Sequence, residues 1–211
     1  MKNIKPEEYI CEHRHTGLEH PNCYIRFLDK VDGVNVGFLD IETSQLNAEF
    51  GFMISWALKE LDGVTIKDNH VKDDFKTWSF DKRIVKSLVS VMKNYDIIYT
   101  YYGSKFDIPF IRSRALKHNL AFPIQGEIIH RDLYYAARNK LKLQSNRLKN
   151  VTHYFGIYGK TELSGDVWAK ATYGDKKAIS YIVDHNIKDV EILESFYKKI
   201  RPYITRTRRS I

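Results

Sequence analysis

The 211-residue chain is 43% hydrophobic and 28% charged, a balance that excludes a disordered chain and is enough for one core without staples. Two cysteines cannot build a disulfide framework, no apolar run is long enough to span a bilayer, and residues 1–8 lack the apolar stretch of a signal peptide, so a reducing, cytoplasmic setting without membrane contact is expected. A formal net charge of +8 favours a polyanionic partner, and nucleic acid is the usual one.

Residues 8–24 hold both cysteines and three of the eight histidines, as Cys11-x-His13-x-His15 and His20-x-x-Cys23. Cys11, His20, Cys23 and either His13 or His15 make up the nitrogen and sulfur set that one structural zinc ion takes, with Gly17 and Pro21 to help the turn; the competing readings are a polar segment or an adventitious disulfide. Residues 34–43 and 52–59 read as strands, and 63–67 with 75–80 as a third strand or hairpin arm around a polar, exposed 68–74. Ile84, Val85, Leu88, Val89 and Met92 recur at helical spacing, so 82–95 reads as a helix, followed by a β-rich run over 96–101. Helices are expected over 108–119, 133–143 and 148–155, with a short strand at 128–129. Gly174-Asp175 opens a long periodic helix over 176–200, and 201–211 reads as a frayed basic tail. Strands first, then helices alternating with strands, predict an α/β fold: a mixed sheet flanked by helices. The expected division is an N-terminal appendage over 1–30, a main domain over 31–200 and the tail over 201–211.

Four acids stand in apolar surroundings: Asp40 and Glu42 in Phe38-Leu39-Asp40-Ile41-Glu42, Asp107 in Phe106-Asp107-Ile108-Pro109-Phe110, and Asp189 in Ile187-Lys188-Asp189-Val190. In a strand, residues i and i+2 share a face, so Asp40 and Glu42 point the same way as Val36 and Phe38, opposite Leu39 and Ile41. Carboxylates taken out of water repel one another unless a cation lies between them, and Lys105 and Lys188 are too few to neutralise four. A shared divalent metal site answers this simply, since hard cations such as Mg²⁺ take oxygen ligands. Singly, each acid has a plainer reading: a strand end in solvent, a helix N-cap for Asp107, and a surface pair of His185 and Asp189 one helical turn apart.

Together and in this order, the D-x-E of the first strand, the FDIPF aspartate and a helical H-x-x-x-D resemble the DEDD superfamily of 3′–5′ exonucleases, with an RNase H-like fold. The nearest likeness is to the proofreading domains of family-B DNA polymerases and to stand-alone bacterial exonucleases of the same fold. Ser145-Asn146-Arg147-Leu148 and Gly174-Asp175 add to the match, which covers residues 34–200. The resemblance implies hydrolysis of phosphodiester bonds at the 3′ ends of single-stranded nucleic acid, DNA rather than RNA. It implies two Mg²⁺ or Mn²⁺ ions held by Asp40, Glu42, Asp107 and Asp189, with Asp40 bridging. It also implies a separate polymerase or repair partner, because no polymerase segment follows. In such enzymes the last motif carries a tyrosine four residues before the aspartate or a histidine five before it. His185 sits at the tyrosine spacing and is assigned to orienting or deprotonating the attacking water. Tyr102 stands where many relatives carry asparagine.

Nucleic-acid contacts are assigned to Tyr102, Lys105, Phe106, Ser145, Asn146 and Arg147. Tyr101, Tyr134 and Tyr135 are further stacking candidates, and Arg138, Lys140, Lys142 and Lys149 further phosphate contacts; Arg206, Arg208 and Arg209 would form an electrostatic arm. Two other functions fit the same residues: an RNase H-like binding module without turnover, and an endonuclease of the same fold cutting particular structures.

Overall fold

The computed structural model describes residues 4–71, 74 and 80–204. Alternating apolar side chains over 36–43 make β1 (Val36–Thr43) a strand covered on both faces. It lies centrally in a five-stranded sheet with β2 (Met53–Glu60), β3 (Thr65–Asn69), β4 (Ile97–Thr100) and β5 (Ile129–Asp132), in the order β3-β2-β1-β4-β5. β2 runs antiparallel to β1 and β3, whereas β4 is parallel to β1 and β5 to β4. Parallel neighbours need crossovers, and helices supply them. α2 (Lys82–Met92) precedes β4, and α3 (Asp107–Lys117) joins β4 to β5.

The two faces of β1 select the two helical layers. Leu39 and Ile41 pack with Ile84, Val85 and Leu88 of α2 and with Phe110 and Ile111 of α3. Phe38 packs on the other face with Leu133 of α4 (Leu133–Lys140), Val151 of α5 (Leu148–Tyr154), and Leu193 and Phe196 of α7 (Lys176–Ile204). Each such large apolar side chain stabilises the fold by about 1.5–3 kcal/mol. The expected α/β mixed sheet flanked by helices is found.

Three details differ from the sequence reading. α1 (Pro21–Leu28) and α6 (Gly165–Thr172) are helices where no element was read. Both are eight residues long, too short for a periodic stripe to stand out; α1 buries Tyr24 and Leu28, one turn apart, with Ile25 and Phe27 packed partly buried against the same core. The stretch 68–74 is not simply exposed: Asp68 and Asn69 end β3, and His70 and Asp74 are buried. The last helix continues through the expected tail as far as Ile204. Residues 75–79 of the expected hairpin arm, and Arg206, Arg208 and Arg209, lie outside the described residues. Among the described residues no helix is long and apolar enough to cross a membrane.

A buried ionic centre fixes the layer that carries Asp107. Asp81, at the start of α2, accepts hydrogen bonds from Arg114 Nε (2.8 Å) and Nη2 (2.6 Å), His118 Nε2 (2.7 Å) and the Met53 N–H (2.9 Å). Four donors on one carboxylate tie α2, α3 and the start of β2 together.

Candidate active site

β1 delivers Asp40 and Glu42 toward its C-terminal end, on the face that meets α7. After β4, the chain turns through Tyr102, which has the left-handed φ of 67°. Asp132, at the end of β5, fastens that turn by accepting the N–H groups of Tyr102 (2.8 Å) and Ser104 (2.9 Å) while capping α4 at Tyr134 (3.0 Å). Gly103 is required there, because an added Cβ would lie 2.3 Å from Thr100 Oγ1. The turn ends in α3, whose first residue is Asp107. Phe106, not Asp107, holds the capping position, and the Asp107 carboxylate instead accepts the N–H of Ile41 in β1 at 3.2 Å. α7 supplies His185, Asn186 and Asp189 from its buried stripe.

Glu42, Asp107, Asp189 and His185 are buried, and Asp40 is partly exposed. Asn186 is fully buried between two strands: its Nδ2 donates to Asp40 (2.6 Å), and its Oδ1 accepts from Ser55 of β2 (3.2 Å). His185 Nε2 faces Glu42 Oε1 at 3.7 Å and Asp189 Oδ2 at 3.6 Å, while Nδ1 lies 2.5 Å from Thr161 Oγ1. Two carboxylates beside Nε2 favour the proton on that nitrogen, which leaves Nδ1 to accept from the Thr161 hydroxyl. Lys160, in the loop before α6, places its ammonium on Asp189 Oδ2. The other Asp189 oxygen, Oδ1, is buried without a hydrogen-bond partner.

The electrostatics report crowding. Loss of hydration, then the charges of Asp189, Asp107 and Glu42, push Asp40 well above the usual carboxylate range, with Lys160 opposing them. Burial and Asp189 raise Glu42 to about 8, again against Lys160. Burial raises Asp107 to about 7 despite the N–H bonds it accepts, and Asp132 adds to the rise. Burial lowers His185 against the pull of Asp189, so the imidazole is neutral at pH 7. These residues fit a divalent ion chemically: hard oxygen donors, anionic crowding that a cation relieves, and an unpartnered buried oxygen in Asp189. They are not drawn to a point. Among the described residues, the set of His, Cys, Asp or Glu ligand atoms lying within 4.8 Å of one another is Cys11, His13, His20 and Cys23, which includes none of these acids. Asn186 on Asp40 and Lys160 on Asp189 hold the acids in a looser arrangement.

Of the residues assigned to nucleic acid, Tyr102 and Lys105 are exposed beside the turn, and Tyr102 stands edge-on to Tyr134 (4.8 Å between centroids). Arg147 is exposed at the start of α5, along with Arg138, Lys140, Lys142 and Lys149, although Lys149 is paired with Glu162. Ser145 accepts the Arg147 N–H (3.3 Å), and the Asn146 carbonyl accepts from Tyr101 (2.6 Å), so both shape the loop. Phe106 turns inward against Phe110 and the α2–α3 layer. Lys160, Thr161, Asn186 and Asp132 were not singled out from sequence. Asn186 carried a signal: it lies four residues from Ile182 and from Val190, in the middle of an apolar stripe, where a buried amide needs partners.

The sequence profile of the RNase_H superfamily matches residues 37–201. The chain belongs to the RNase H superfamily. Three DNA polymerases illustrate the expected likeness to family-B enzymes. The DNA polymerase of Methanocaldococcus jannaschii is 29% identical over 126 residues, 48% of this chain and 7% of that protein. DNA polymerase 1 of Sulfolobus acidocaldarius is 29% identical over 178 residues, 69% of this chain and 19% of that protein. In structure, the family B DNA polymerase of Pyrobaculum calidifontis matches 81% of this chain with a TM-score of 0.67 at 18% identity, over 25% of its own length. The chain therefore spans less than a quarter of the curated relatives and a quarter of the solved structure. Membership of the RNase H superfamily and similarity to polymerases support a nuclease.

The crowding has a measurable sign in metal-free protein. A carboxyl whose pKa rises on folding stabilises the fold fully below its unfolded value and loses that contribution as pH rises through the folded value. For Glu42 the window runs from about 4.5 to about 8. With chelator present, Glu42→Gln is expected to melt at increasingly higher temperature than the native chain across that window. A melting-temperature difference that stays constant from pH 4.5 to 8 would contradict the burial of a strained carboxylate here.

Proposed function

We propose that the chain is a divalent-metal-dependent 3′–5′ exonuclease, hydrolysing phosphodiester bonds at the 3′ ends of single-stranded nucleic acid, DNA in preference to RNA. The observation that carries this reading is the crowding of Asp40, Glu42, Asp107 and Asp189, supplied by one strand and two helices, desolvated and mutually repelling, in a chain of the RNase H superfamily. The similar proteins are DNA polymerases, which favours DNA. We assign residues 31–200 to the catalytic unit and 1–30 and 201–211 to flanking segments, a cytoplasmic setting on the strength of the sparse cysteines, and a polymerase or repair protein as the partner it would serve.

The four carboxylates would hold two Mg²⁺ or Mn²⁺ ions, and such ions supply Lewis-acid activation of water and neutralisation of charge on the departing 3′ oxygen. Asn186 keeps Asp40 aimed by its amide. His185 is neutral, with Nε2–H turned to Glu42 and Asp189 and Nδ1 satisfied by Thr161, so it orients rather than abstracts in this arrangement. Tyr102 and Tyr134 offer faces for unpaired bases, and Lys105 and Arg147 offer cations for phosphates. Ser145 and Asn146 act by shaping that loop, and Phe106 by seating α3.

A 5′-labelled single-stranded oligonucleotide incubated with Mg²⁺ or Mn²⁺ tests the reading. A ladder shortening stepwise from the 3′ end supports it. Internal cuts would replace it with the endonuclease, and retention of the strand without cleavage with the binding module.

A further inference from the structure

We propose that Cys11, His13, His20 and Cys23 form a preformed tetrahedral zinc site that ties the N-terminal turn to α1, the helix that packs on the sheet. Their ligand atoms lie within 4.8 Å of one another. Cys11 Sγ is 3.5 Å from His20 Nδ1 and 3.8 Å from His13 Nδ1, and Cys23 Sγ is 3.6 Å from His13 Nδ1. With Zn–S near 2.3 Å and Zn–N near 2.0–2.1 Å, a tetrahedron has sulfur–nitrogen edges of about 3.5 Å, so the observed separations are those of ligands around a shared centre. Both imidazoles present Nδ1. Sulfur with imidazole selects zinc over the oxygen-seeking Mg²⁺.

The backbone explains the choice between His13 and His15. A turn closes from the Cys11 N–H to the His15 carbonyl (2.9 Å) and from the Arg14 N–H to the Cys11 carbonyl (2.8 Å), with Arg14 left-handed at φ 64°. That conformation costs a non-glycine residue on the order of 1 kcal/mol, and it swings His13 inward. His15 is left edge-on to the His20 ring, 5.8 Å away, outside the ligand set. His20 precedes α1 and Cys23 lies in its first turn, so the ion would join the turn to the helix. Neither cysteine is in a disulfide.

The site draws on none of the elements that carry the acids. Tyr24 and Leu28 of α1 enter the core beside Val36, Ile97 and Ile129, where β1, β4 and β5 begin. Lys5 pairs with Asp96 just before β4 (3.5 Å), and Asp29 with Arg131 (2.8 Å). The acids lie toward the end of β1 and after β4. Zinc there acts on folding rather than on chemistry at the phosphate, and the proposal stands independently of the nuclease reading.

Protein purified without a histidine tag should carry one zinc per chain, and chelation should lower its melting temperature. Replacement by Co²⁺ should give the intense visible bands of tetrahedral coordination together with thiolate charge transfer. His13→Ala and Cys23→Ser should lose the metal, and His15→Ala should keep it. The native Co²⁺ spectrum does not depend on any variant folding. Absence of zinc together with no tetrahedral cobalt spectrum would overturn the site, as would a Cys11–Cys23 disulfide in the purified chain. Metal retained by His13→Ala and lost by His15→Ala would overturn the ligand assignment.

Discussion

Asp40→Asn is expected to lower the rate of 3′-end hydrolysis by at least on the order of 10³-fold while leaving the fold intact. The amide keeps an oxygen for the Asn186 donor, so the bond that positions residue 40 survives. The charge does not survive, and with it goes the ligand placed between Asp189, Asp107 and Glu42. Removing one of several desolvated, repelling carboxylates relieves the metal-free protein, so its melting temperature in chelator should equal or exceed that of the native chain. Loss of activity without loss of stability marks a residue kept for chemistry. Asp189→Ala should also abolish hydrolysis. Full activity in either purified variant would remove these acids from the reaction.

Asp81→Ala is expected to lower the unfolding free energy by about 3–5 kcal/mol, because it strands Arg114 as a buried guanidinium without its counter-ion. Burial alone would raise the Asp81 carboxyl, but bonds from Arg114, His118 and the Met53 N–H outweigh it and hold it below the usual range. A carboxyl lowered on folding contributes its stability above the unfolded value near 3.8 and loses it as pH falls through the folded value. The difference between Asp81→Ala and native should therefore be large at neutral pH and shrink in acid. Urea unfolding at pH 7 and below pH 4 reads both. A difference under about 1 kcal/mol at pH 7 would mean that the buried pair contributes little beyond a surface ion pair. Arg114 lies two turns along α3 from Asp107, so the same loss should loosen the seat of that acid.

Where side chains follow a period, the sequence was legible. The alternation from Val36 to Glu42 placed two acids on one face, and that face meets α7 through Phe38. The stripe of α7 runs from Ile182 through Val190 to Phe196 as read. Where contacts are made across the chain from aperiodic loops, it was not. Lys160 reaches Asp189, and Thr161 reaches His185, from a stretch with no repeat to betray it. Asp132 caps α4, and its second task of fastening the Tyr102 turn comes only from β5 lying beside β4. His13 and His15 are equivalent in spacing, and a single left-handed residue between them separates their directions.

The most direct measurement is a Mn²⁺ titration followed by electron paramagnetic resonance, on the native chain and on Asp40→Asn. Two saturable ions per native chain, displaced by Mg²⁺ and lost or greatly weakened in the variant, are the predicted result. Absence of stoichiometric binding to the native chain, or binding unchanged by Asp40→Asn, would contradict a divalent-ion centre built from these carboxylates.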